Sequence, residues 1–214
     1  ALGLEGAELV GTPFGGNSVQ ALVSQTALDI LSGDIKVALV VGAEAWNTQA
    51  KLAKMGQTMT YRETYGLYDK TLGAEVPMSC DAEKARGVVQ PIQMYPMFEN
   101  AIRYARGESI ADHRDRIAKL WSGFSEVAAQ NPSAWIQKVV SPEEIATASA
   151  SNRMVSFPYP KLMNSTSAVD MGAALVMTSV AKARALGIPE SQCVYPLSGA
   201  NAHDTYATST RRNL

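Results

Sequence analysis

The chain has 214 residues, 46% hydrophobic and 18% charged, long enough to bury a core as one large domain. Lys and Arg number 19 against 20 Asp and Glu, a net charge of -1 that gives no basic excess for nucleic acid and no polybasic run for an anionic membrane. The purely apolar runs fall far short of the roughly 18 residues that span a bilayer, and nothing at the start reads as a signal peptide.

Residues 6–12, GAELVGT, read as a short strand running into a turn at Pro13. Gly15, Gly16, Asn17 and Ser18 follow, and then a helix from about Asn17 to Leu31. Val19, Leu22, Val23, Leu28, Ile30 and Leu31 cover a wide face, so this helix is expected to be well buried, with Ser32-Gly33-Asp34 ending it. Residues 36–43, KVALVVGA, are apolar almost throughout, the pattern of a strand covered on both faces. Strand, helix and strand at this spacing predict a βαβ unit.

From about Trp46 to Tyr159 the texture changes to a mixture of Met, Tyr, Trp and charged residues. Helices are expected over Ile92–Arg106 and Ile110–Gln130, the second stopped by Asn131-Pro132. A short helix is expected at Pro142–Ala148, with Ser141 as N-cap and Glu144 completing a capping box. The stretch reads as a helical insertion within an α/β core. That core resumes near residue 171 with a strand MGAALVMTS, a helix SVAKARALG ended by Gly187, and a last strand CVYPLSGAN.

A helix N-terminus presents unpaired N–H groups and the positive end of the helix dipole, and glycines let a ligand approach the backbone. Gly15, Gly16, Asn17 and Ser18 therefore form a candidate pocket for an anion, either a phosphate or the oxyanion of acyl transfer. The same residues also fit a plain strand-to-helix turn with Asn17 or Ser18 as N-cap. The spacing is neither a P-loop, nor GxGxxG, nor GxSxG. Ser18 is the only nucleophile in the motif and needs a base. His203, beside Asp204 in AHDTY, is one candidate for it. His113, in ADHRDR, reads as part of a solvated helix face. Cys80 and Cys193 have no metal spacing and read as ordinary thiols, although Cys80 precedes a helical stretch that could lower its pKa. Two scattered histidines suggest no metal site.

GGNSVQALVSQTALDILSGDIKVALVVGAEAW resembles the nucleophile-helix segment of the thiolase superfamily, in which Cys-(Ser/Gly)-Ser-Gly-x-Gln opens a buried helix. NSTSAVDMGAALVMTSVAKARALGI resembles the strand and helix that end the family's N-terminal half. VQPIQMYPMFENAIRYARGES, LWSGFSEVAAQNPSAW and NRMVSFPYPKLM are similar to the thiolase-like branch called acetyl-CoA acetyltransferases. The resemblance covers nearly the whole chain. It implies an α/β thiolase fold, with αβαβα layers in a full protein. Residues 1–47 and 160–214 would be the N-terminal α/β half, and 48–159 an inserted helical loop domain. The family reaction is a Claisen condensation or thiolysis of acyl-CoA, with the CoA thioester as substrate and no further cofactor.

Two departures accompany the resemblance. Aligned on Gln20, Gly15 stands where the family has its acyl-accepting Cys. The histidine and cysteine motifs of the C-terminal half have no counterpart up to Leu214. The resemblance thus implies an acyltransferase acting on acyl-CoA, or a non-catalytic acyl-CoA- or lipid-binding protein or partner subunit. It implies a cytoplasmic homo-oligomer. The missing initiator Met at Ala1 and the abrupt ending STRRNL lead us to expect a fragment cut at both ends.

Overall fold

A computed structural model describes residues 6–60, 67–166 and 168–212. The elements are β1 (Val10–Gly11), α1 (Ser18–Ser32), β2 (Val37–Ala45), α2 (Trp46–Lys54) and β3 (Lys70–Thr71). Next come α3 (Asp81–Ala85), α4 (Pro91–Ala105), α5 (Ile110–Ala129), α6 (Pro142–Ala146), β4 (Met154–Ser156) and β5 (Tyr159–Pro160). β6 (Asp170–Thr178) and α7 (Val180–Ala185) close the series. The chain divides into two compact units, 1–76 with 167–204, and 77–166 with 205–214. In the first unit β3 pairs with β1, and in the second the segment after 204 returns to α3, where the Ser209 amide donates to Glu83 at 2.6 Å.

The first unit is built on a nine-residue antiparallel ladder. β2 pairs with β6 from Val37 opposite Thr178 to Ala45 opposite Asp170, and α1 lies against both strands. Asp170 anchors α2 by accepting from the Thr48 amide at 2.9 Å and the Thr48 hydroxyl at 2.8 Å. These bonds hold its carboxyl below the usual aspartate range.

Four expectations are corrected in this unit. The strand expected over 6–12 shrinks to Val10–Gly11, which pairs in parallel with β3. No βαβ unit forms, because β2 takes β6 as its neighbour rather than β1. β2 and α1 are not well covered: Val41 is 60% exposed and Leu31 83%. Among the described residues, this sheet has only two strands and few helices to cover them. Residues 193–201 form no strand, since Pro196 removes a ladder donor. That extended segment crosses α1 at Ser24, where a Cβ on Gly199 would collide with Ser24 Oγ.

The second unit carries nearly all the buried core of the described residues. Ile117 and Ala118 of α5 pack with Val140, Ile145 of α6, Tyr159 of β5 and Met163. Caps place its helices near their expected positions. Ser109 accepts from the Asp112 amide at the start of α5, and Ser141 accepts from the Glu144 amide at the start of α6. Asn152, 2% exposed, ties α6 to the following turn. Its amide donates to the carbonyls of Glu144, Ile145 and Thr147, and its oxygen accepts from the Leu162 amide at 2.8 Å.

Candidate functional site

The turn before α1 is shaped by its two glycines. Ser18 N donates to Gly15 O at 3.2 Å, and Ala21 N to Asn17 O at 3.1 Å. Asn17 occupies the N-cap position with helical backbone angles, so its side chain makes no cap bond. The Ser18 hydroxyl donates back to Pro13 O at 3.2 Å. Gly15 and Ser18 are half-buried, Gly16 and Asn17 are exposed, and Phe14 beside them is 93% exposed. The helix start thus lies at an open surface, with the Ser18 amide turned to Gly15 O.

Ser18 spends its proton on a carbonyl five residues upstream, an arrangement that fastens the turn and does not activate a nucleophile. Gly15 offers no side-chain atom. Cys80 precedes α3, where its amide donates to Glu83 at 2.9 Å, and its thiol lies 3.6 Å from Ser209 Oγ. Both cysteines are free thiols. No cluster of three or more metal-ligating side chains occurs among the described residues.

His113 overturns its sequence reading. It is 0% exposed, not on a solvated face. Nε2 lies 2.8 Å from the Tyr159 hydroxyl, and Nδ1 lies 3.2 Å from Glu108 and 3.0 Å from Arg116. Tyr159 Oη donates to Glu99 at 3.2 Å. Arg116 and Arg106 hydrogen-bond to Glu108 and hold its carboxyl down at about 2. Burial pushes the Tyr159 phenol up, so it stays protonated. Sequence reasoning missed this network because ADHRDR is so rich in charge. The signal was register: His113 precedes Ile117 and Trp121 at steps of four, on the face that packs into the core.

No family model matches the chain, nor does any curated protein. Among solved structures, the crystal structure of a monomeric SCP2-thiolase like protein type 1 from Mycobacterium smegmatis is similar. It is 34% identical, with a TM-score of 0.61, over 83% of this chain and 32% of that one. The fold is thus thiolase-like, and the chain spans about a third of the length of that protein. Among the described residues, no helix is long and apolar enough to cross a membrane.

Proposed function

We propose that this chain is part of a thiolase-like protein that acts on acyl-CoA, with the amides at the start of α1 facing the thioester. The observation that supports this is the glycine turn itself. It combines a close-approach backbone with a helix start at an open surface, in a chain whose fold is thiolase-like. In this reading, residues 1–47 and 160–214 belong to the N-terminal α/β half, and 48–159 to the inserted loop domain.

The acyltransferase reading assigns the amides near Gly15, Gly16, Asn17 and Ser18 to an oxyanion pocket. It leaves the nucleophile to Ser18 or to a group outside the described residues. The alternative is a non-catalytic acyl-CoA- or lipid-binding protein or partner subunit. It is favoured by two observations: residue 15 is glycine, and the Ser18 proton is already engaged. Isothermal titration with acetyl-CoA, followed by a thiolysis assay on a series of 3-ketoacyl-CoA esters, both on the full-length protein, separates the readings. Binding with turnover supports the acyltransferase, binding without turnover supports the carrier or partner, and no binding removes both. A cytoplasmic homo-oligomer is the assembly proposed from the resemblance. The monomeric state stated for the Mycobacterium smegmatis protein is the competing outcome of a light-scattering measurement.

A further inference from the structure

Nδ1 of His113 faces one acceptor and one donor and can bond only one of them at a time. Glu108, held ionised by Arg116 and Arg106, can only accept, and Arg116 can only donate. Both face Nδ1, which carries either a proton or a lone pair in its ring plane but never both. At the other end, Tyr159 has one hydroxyl proton. When that proton goes to Glu99, Nε2 must donate to Tyr159 Oη.

The charged groups around the ring come from three directions: Glu99 from α4, Arg106 and Glu108 from the end of α4 and the turn after it, and Arg116 from α5 itself. Tyr159 faces the ring from β5. Glu143 and Glu144 of α6 and Lys161, after β5, are exposed.

We propose that His113 is the pivot of a hydrogen-bond latch with two settings. In the first it is neutral and carries its proton on Nε2. Donation then runs from Arg116 to Nδ1, from Nε2 to Tyr159, and from Tyr159 to Glu99, fastening α4 to α5 and β5. In the second the proton sits on Nδ1 and is accepted by Glu108. The Tyr159 hydroxyl then turns to Nε2, and Glu99 is released. The net change moves one proton from Nε2 to Nδ1, exchanged with water when the network opens at Glu99, whose side chain is 34% exposed. No heavy-atom bond forms or breaks. Glu99 follows Phe98, and with Met94, Tyr95, Met78 and Thr208 that phenylalanine lines a cavity of about 120 Å³.

The test is 15N NMR of the histidine-labelled chain at about pH 8, above the ordinary histidine range. The chain has two histidines, and His203→Gln assigns the signals. Solid-state spectra serve equally if the chain associates. The wild type is expected to show a protonated Nε2 and a bare Nδ1. Arg116→Met removes the donor to Nδ1 and is expected to exchange the two signals. Amide exchange over residues 99–103 of α4 should quicken about fivefold in Arg116→Met and in Tyr159→Phe, the size of one lost hydrogen bond. A wild-type ring protonated on Nδ1, or on both nitrogens, overturns the proposal. So does a folded Tyr159→Phe chain with unchanged α4 exchange. The wild-type spectrum decides the polarity even if neither variant folds.

Discussion

A Cβ built on Gly15 comes within 3.1 Å of Ser18 Oγ and 3.2 Å of Asn17 Oδ1, both ends of side chains that can turn aside. Gly15→Cys should therefore fold. If the α1 start faces a thioester, that variant gains one acetyl group at residue 15 by mass spectrometry after incubation with acetyl-CoA, and the wild type, with glycine there, does not. An unmodified variant that still binds CoA would show that the amides alone do not activate the new thiol. Asn152 gives a second residue-level expectation. Asn152→Ala leaves three carbonyls and one amide without their partner in a buried turn, and should cost about 3 kcal/mol in urea unfolding. Glu108 gives a third. Its carboxyl is held near 2 in the fold against an ordinary 4.5. A depressed acid stabilises the fold above its ordinary pKa and loses that contribution as pH falls towards the folded value. Thermal unfolding should thus lose stability between about 4.5 and 2, and Glu108→Gln should flatten that part of the profile.

Helices announced themselves in the sequence where a cap and a stop framed an apolar face. Ser109, Ser141 and Ser179 each accept an amide at the start of α5, α6 and α7, and each stands at the position that local chemistry demands. Gly33 ends α1 with φ +90° and its amide on Ile30 O, so Gly33→Ala should cost about 1 kcal/mol, read as a fall in melting temperature. Strands were less legible. The two-residue pairing of β1 with β3 depends on Leu9 N reaching the Asp69 carboxylate at 2.7 Å, a contact sixty residues apart that no local pattern encodes. CVYPLSGAN has the apolar content of a strand, but Pro196 breaks it. The candidate turn at Gly15 was legible from its glycines. The His113 network was not, because its partners on α4 and β5 come from distant stretches and only packing brings them together.

Apolar residues along the β2–β6 ladder set the behaviour of the chain in solution. Val37, Leu39, Val41, Leu175 and Val176 are all more than 40% exposed. Among the described residues, β2 and β6 pair only with each other, so each leaves one edge unpaired. The 214-residue chain alone should associate, eluting from gel filtration ahead of a monomer, and Val41→Lys with Val176→Lys should shift it back towards one. A sharp monomer peak for the unmodified chain would count against this. The same ladder also joins two ends of a long excursion, since the whole of 77–166 lies between its strands in the sequence. Closing such a loop is slow, whereas helices α4 to α6 meet partners close by. On emerging from the ribosome, the helical unit would have its packing partners at hand while β2 still waits for β6. The longest-lived folding intermediate would then be a helical body still lacking the segment after 204 and carrying an unmatched apolar strand, the species a chaperone would hold.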